Sequence, residues 1–258
     1  MNQRAQYLEA LGIDVWVPRS QPAAVPPPPA PISAAAEVAA VRAPKPAPVP
    51  MSPPAAASSI DAAAGIWQQL ATEVSGCQRC GLHTGRTQTV FGVGNRRAEI
   101  LVVGEAPGAD EDRQGEPFVG RAGQLLNSML RAMGHPRETV FIANVLKCRP
   151  PGNRDPAPEE VASCLPYLQR QIELLQPRLM VAVGRIAAQN LLATDTPISK
   201  LRGRVHQFGA TGIPLIATYH PAYLLRSPSE KRKAWVDLKF VRQELARLRA
   251  AAALAGRA

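Results

Sequence analysis

Apolar and polar positions fall into two regimes along this chain. From Asp61 onward, short apolar runs alternate with stretches of helical spacing. Ile60 to Val74 repeats its apolar residues as an amphipathic helix does. Glu99-Ile100-Leu101-Val102-Val103-Gly104 is a short apolar run closed by glycine, the pattern of a strand buried on both faces. Gly123 to Met133 predicts an amphipathic helix, Thr139 to Leu146 a second strand, and Pro158 to Leu175 a second long helix. Leu179 to Gly184 reads as a third strand followed by a helix through Leu192, and Ile213 to Thr218 as a fourth. Pro228 to Leu254 predicts a long basic final helix. Four buried strands separated by helices predict an α/β layered domain built on a parallel sheet. Ligands of such sheets sit beyond the carboxyl ends of the strands.

Ahead of this domain (residues 61–258) the pattern changes. Of the 40 residues from Gln21 to Ile60, 12 are proline and 13 alanine, and none is aromatic. Such a stretch buries too little apolar surface to offset its ordering entropy, so it reads as a semi-extended, disordered tether. Before it, residues 1–20 include Tyr7-Leu8-Glu9-Ala10-Leu11-Gly12-Ile13-Asp14-Val15-Trp16, a short apolar motif with a helical start. On a flexible string it suits docking to a partner protein, or else packing as a frayed end on its own domain.

Composition narrows the function classes. No run of about 18 or more uncharged apolar residues is present, so no membrane span is expected. Met1 to Ala10 carries Arg4 and Glu9 and leads into no apolar segment, which argues against a secretory leader and for the cytoplasm. The formal charge of +10 is concentrated in the domain: residues 1–60 hold four basic and three acidic groups, and the other 198 hold 26 and 17. A polyanion is the natural partner of that excess, although solvated basic helices read the same way. Four cysteines in a reducing compartment point to metal ligation before disulfides. They fall as Cys77-x2-Cys80, then 67 intervening residues to Cys148 and 15 more to Cys164, a spacing open to tetrahedral zinc and to a cubane iron–sulfur cluster alike.

Chemistry-bearing residues gather where the strands end. Strand one runs into Gly104-Glu105-Ala106-Pro107-Gly108, the acidic Asp110-Glu111-Asp112 and then Pro117-Phe118-Val119-Gly120. This is no phosphate loop, because the Gly-Lys-Ser/Thr ending is missing. Strand two ends in Asn144 and is followed by Lys147-Cys148-Arg149-Pro150-Pro151. Strand four leads into Tyr219-His220-Pro221 and Leu224-Leu225-Arg226. A carboxylate, an aromatic ring, an amide and an imidazole therefore converge on one edge, which favours a functional site over four separate structural roles.

Together these segments, Gly104 to Gly108, Pro117 to Asn127, Asn144 to Pro151 and His220 to Arg226, resemble the family-4 uracil-DNA glycosylases. The resemblance runs from about Cys77 to Leu245 and leaves the motif and tether outside it. It implies a three-layer αβα fold around a four-stranded parallel sheet, and a [4Fe–4S] cluster on Cys77, Cys80, Cys148 and Cys164. It implies uracil-containing DNA, single- or double-stranded, as substrate and hydrolysis of the N-glycosidic bond; a monomer is expected. Phe118 would stack on an extruded uracil, Asn144 would read its edge, and Glu111 would crowd out a thymine methyl. His220 would hydrogen-bond O2 as charge develops there, with main-chain amides near Glu105 and Ala106 completing the anion hole. Glu105 is the nearest carboxylate for orienting water. Arg149, Leu224, Leu225 and Arg226 would face DNA, the last three as wedge candidates, and the cluster would order the basic loop from Lys147 to Arg154, with charge transport or sensing as the alternative role.

Two other readings are weighed against this one. A related subgroup bonds covalently to DNA, but carries a histidine-bearing basic insertion that the short Cys148–Cys164 segment lacks. A metal-stapled nucleic-acid binding module would use the same residues for structure alone.

Overall fold

A computed structural model describes the backbone of residues 55–255 and the side chains of residues 64–255. The apolar motif and the tether up to residue 54 lie outside the described residues. Helix α1 (Ala55–Ser75) starts within the stretch read as tether. Pro54 is the last of its prolines, and Ala55-Ala56-Ala57 has the strongest helix propensity available, so the helix begins as soon as proline stops.

Six strands follow: β1 (Val93–Gly94), β2 (Ile100–Gly104), β3 (Phe141–Asn144), β4 (Leu179–Val183), β5 (Val205–Phe208) and β6 (Ile213–Thr218). Between and after them lie α2 (Ala109–Gln114), α3 (Arg121–Ala132), α4 (Pro158–Leu175), α5 (Arg185–Leu192), α6 (Ile198–Leu201), α7 (Pro221–Arg226) and α8 (Lys231–Ala255). The strand order is β1-β3-β2-β4-β6-β5. The inner four are parallel and are the four that the apolar runs predict, while β1 and β5 add antiparallel edges. The expected four-stranded sheet is thus six-stranded. Neither edge carries an apolar run: β1 is two residues ending in glycine, and β5 places exposed Val205 and Gln207 beside polar His206.

Alternation along each strand divides the core into two layers. Leu101 and Val103 pack with Trp67, Leu70 and Val74 of α1 and with Leu168 and Ile172 of α4. Ile100 and Val102 face the other way, onto Leu126 and Leu130 of α3 and Leu238 and Val241 of α8. Both faces of the sheet are covered, giving the three-layer αβα arrangement. No helix of the described residues is long and apolar enough to cross a membrane.

From β2 the chain passes to β3 on one side and later to β4 on the other, so a crevice opens at the carboxyl edge. Helix α8 runs against the strand direction. Near its start Asp237 accepts hydrogen bonds from Thr218 Oγ1 at the end of β6 (2.7 Å) and from Arg202 Nε (2.7 Å). Near its end Arg249 Nε donates to Glu99 Oε2 just before β2 (3.0 Å). The exposed Lys231 and Arg232 therefore lie at the same edge as the crevice. A separate 3₁₀ turn, Pro228–Glu230, precedes the helix where the sequence predicts one continuous element.

Candidate active site

Each parallel strand delivers a residue to the crevice. In the β2–β3 ladder Gly104 pairs with Asn144, and in the β4–β6 ladder Val183 pairs with Thr218, one and two residues before Gly184 and His220. The resulting cleft of about 830 Å³ lies within the roughly 300–1,000 Å³ typical of small-ligand sites. Glu105, Ala106, Glu111, Phe118, Asn144, His220 and Arg226 all line it, so seven of the residues predicted from sequence share one cavity.

The chain holds Phe118 against its own backbone preference. Its φ of 56° is left-handed, uncommon for a residue with a side chain. The surrounding peptides are tied on every side. Arg137 Nη1 donates to Phe118 O (3.2 Å) and Nη2 to Pro117 O (2.6 Å). Glu111 Oε1 accepts from Val119 N (2.9 Å) and Gly120 N (3.0 Å), and Oε2 from Gly108 N (3.1 Å). Glu111 thus ties the loop that presents Phe118, through Oε1, to the start of its own helix, through Oε2, in addition to bordering the cleft. The acidic cluster that carries it forms the short helix α2, where carboxylates favour the helix start.

The imidazole of His220 lies with its centroid 5.6 Å from that of the Phe118 ring, tilted by 33°. Burial pushes its pKa down to about 4, with Arg226 adding to the shift and Glu111 opposing it, so the ring is neutral at pH 7. Its Nδ1 accepts from Ala222 N (3.1 Å) at the start of α7. A neutral ring whose Nδ1 accepts must carry its proton on Nε2, so Nε2 is left as a donor. Asn144 is buried, and its Oδ1 has no hydrogen-bond partner among the described residues. Buried acceptors without partners are rare in folded proteins.

Glu105 is half-buried in the same cleft. Burial, reinforced by Asp155 and opposed by Arg185, pushes its carboxyl up to about 7. A carboxylate poised near neutrality suits proton transfer or the orientation of water. Arg185 Nη2 and Asp155 Oδ2 pair at 2.6 Å on the cleft wall, and neither is among the residues singled out by sequence. Arg185 follows Gly184 at the end of β4, so the strand-end rule applied there would have found it. Asp155 sits in a loop with no such signal.

Three predicted positions behave differently. Leu224 is 1% exposed and packs in the core with Tyr219 and Leu238, so it is not free to act as a wedge; half-buried Leu225 and exposed Arg226 are. Arg149 does not line the cleft, and its Nε donates to Asn153 Oδ1 (2.8 Å). Lys147 is 1% exposed and points into the protein, so the basic loop facing outward begins after it.

All four cysteines line one cavity between α1, the Lys147–Cys148 segment and α4. Among the described residues no three His, Cys, Asp or Glu side chains form a group that could hold a metal ion. The donor chemistry nevertheless fits a thiolate-bound group. Arg86 Nη1 donates to Cys148 Sγ (3.2 Å) and the main-chain N–H of Lys147 to Cys164 Sγ (3.2 Å). Burial raises the Cys148 thiol, against Arg86, and pushes the Cys164 thiol up to about 11, so both hold protons unless a metal displaces them.

The sequence model of the family described as "Uracil DNA glycosylase superfamily" matches residues 91–239. The chain belongs to that superfamily, and within it to the type-4 uracil-DNA glycosylases. It is 50% identical over 173 residues to a type-4 uracil-DNA glycosylase of Archaeoglobus fulgidus, covering 65% of this chain and 87% of the relative. A type-4 enzyme of Thermotoga maritima is 46% identical over 168 residues, covering 64% and 86%. A type-5 uracil-DNA glycosylase of Pyrobaculum aerophilum is 34% identical over 149 residues, covering 51% of this chain and 64% of the relative.

Proposed function

We propose that the cleft takes up a uracil extruded from DNA and that its own side chains drive N-glycosidic hydrolysis there. The protein is a uracil-DNA glycosylase of DNA repair, a hydrolase acting on N-glycosyl bonds. The observation that carries the mechanism is the unpartnered, buried Oδ1 of Asn144 in the same cavity as a neutral, Nε2-protonated His220.

Uracil presents an acceptor at O4 and a donor at N3, and Asn144 offers the complementary donor and acceptor. Cytosine reverses that pattern and leaves the buried amide mismatched, which discriminates more strongly than shape alone. Phe118 supplies a face for stacking, and Glu111, which lines the same cleft, would crowd out a thymine methyl. Breaking the bond leaves electron density on uracil O2. The Nε2–H of His220 donates to that oxygen, and a neutral donor stabilises the departing anion without itself losing a proton. Glu105, as carboxylate, orients the water or stabilises the developing sugar cation.

Cys77, Cys80, Cys148 and Cys164 would hold a [4Fe–4S] cluster, which supplies cross-linking between α1, the β3 exit and α4 and no electrons to hydrolysis. Four thiols brought to one cavity from distant parts of the chain suit such a group. Arg226, Lys231 and Arg232 ring the cleft side of the molecule and suit phosphate contacts, with Leu225 as the apolar filler of the vacated stack. The enzyme works as a monomer in the cytoplasm, with residues 1–20 as a docking motif for a protein partner.

The test is cleavage of an oligonucleotide holding one uracil, followed by alkali. Strand scission on uracil but not on thymine or cytosine supports the reading. A shifted band that survives denaturation indicates the covalent subgroup, and intact, unshifted DNA indicates a binding module; either outcome rejects hydrolysis and release.

A further inference from the structure

Lys147 is a charged residue placed where few are found. Its side chain is 1% exposed, and its two acceptors are both neutral. Nζ donates to the main-chain oxygen of Asn144 (3.0 Å) and to Oε1 of Gln171 on α4 (2.6 Å). Gln171 is itself fully buried and uses its Nε2 to bond Phe91 O (2.9 Å). The main chain of Lys147 is committed as well: its N–H donates to Cys164 Sγ (3.2 Å) and its C=O accepts from Val90 N (2.8 Å). Among the described residues no carboxylate pairs with the ammonium, so burying it is costly, and an apolar side chain of similar length would fill the space more cheaply.

We propose that Lys147 is a positioning residue for base recognition: its ammonium fixes the peptide of Asn144, and so the reading amide, to helix α4 and the thiol-lined cavity. The argument is geometric. Asn144 is the last residue of β3, and beyond it the ladder bonds end after Val145 N to Gly104 O (3.0 Å) and Leu146 N to Glu105 O (3.0 Å). The Asn144–Val145 peptide is planar, so its N–H bonded to Gly104 O holds one edge and the Lys147 ammonium on its C=O holds the other. A charged donor holds it more tightly than a neutral one, because hydrogen bonds from ionised groups are about twice as strong. The amide Oδ1 makes no bond of its own among the described residues, so the side chain gains its orientation from the main chain and from the neighbouring Phe118 ring. Loosening the main chain therefore misaims the amide toward uracil before it disturbs anything else in the cleft.

This inference rests on Asn144 being the base-reading amide. The experiment compares the wild type with Lys147→Met, which keeps the apolar stem and removes both bonds, and with Gln171→Leu, which removes the anchor behind the ammonium. With Lys147→Met, single-turnover excision of uracil slows by about 100-fold, the cost of a misplacement on the scale of an ångström. KM for the oligonucleotide stays within error, while inhibition by free uracil weakens by about tenfold. Gln171→Leu shows the same pattern to a smaller degree, and the double variant is no slower than Lys147→Met alone, because both act through one link. Variants that melt earlier yet excise uracil at the wild-type rate per folded molecule overturn the proposal, leaving Lys147 a structural residue only. Should Lys147→Met fail to fold, Gln171→Leu decides alone, by whether uracil inhibition weakens with KM unchanged. A wild type inactive on uracil DNA rejects the glycosylase reading itself, which no comparison of variants can imitate.

Discussion

Gly104 and Asn144 stand opposite each other across the β2–β3 ladder, and the missing side chain of Gly104 is what gives the amide and the phenyl ring their places. A Cβ at Gly104 would meet Asn144 Oδ1 and stand 2.6 Å from Cζ of Phe118. Both neighbours belong to the cleft. Gly104→Ala is therefore expected to lower kcat/KM on uracil DNA by about 100-fold, by shifting the ring and the amide together. The melting temperature should fall far less than the activity does. An alanine variant with wild-type excision kinetics would show that the two groups need no such close placement.

The pH profile depends on Glu105. With its carboxyl raised to about 7, the base form grows as pH rises through that value. Single-turnover excision should rise with pH and level off above about 7, and Glu105→Gln should remove that acid limb as well as slow the reaction. A limb that persists in Glu105→Gln belongs to another group and takes Glu105 out of the mechanism.

His220 contributes to stability with the opposite sense of a paired histidine. Its folded-state pKa of about 4 lies below the ordinary 6.5, so the unfolded chain binds the proton first as pH falls. Stability is full above about 6.5 and is lost between there and about 4. His220→Gln should flatten the melting temperature across that window, and should also slow excision by about 100-fold or more at every pH. If the pH dependence of melting is unchanged in the variant, the buried neutral imidazole is not its source.

Cys148→Ser and Cys164→Ser each remove a buried thiol that accepts an N–H hydrogen bond. Either substitution is expected to abolish visible iron–sulfur absorbance after anaerobic purification and to lower the melting temperature. Stoichiometric zinc without iron in the wild type would replace the cluster by a single ion.

Arg226 borders the cleft at the end of α7 and is exposed. Arg226→Ala should weaken DNA binding with or without uracil, and flatten the plot of log K against log salt by about 0.9 for each phosphate that the arginine neutralises. An unchanged slope would mean that this arginine faces no phosphate.

Much of the site was legible in the sequence because strand ends are legible. Apolar runs such as Ile100 to Val103 and Leu179 to Val183 have one stable destination, the middle of a doubly covered sheet, and whatever follows them lies at its carboxyl edge. Asn144, His220 and Glu105 were found in this way. Lys147 and Leu224 were misplaced for the same kind of reason. Lys147 lies between buried Leu146 and Cys148 although its charge argues for solvent, and Leu224 lies between half-buried Tyr223 and Leu225; in neither case does the local sequence say which way one side chain turns. The edge strands β1 and β5 escaped notice because an edge needs no apolar run.

The order of residues thus determined the layered α/β fold, the carboxyl-edge location of the chemistry and the four thiols. Local composition and strand period impose all three before any long-range contact forms. Only the folded chain decided that His220 is neutral with its proton on Nε2, that Glu105 titrates near 7, and that an ammonium lies beneath Asn144. Those properties come from burial and from partners distant in sequence, and neither exists until the sheet has closed around them.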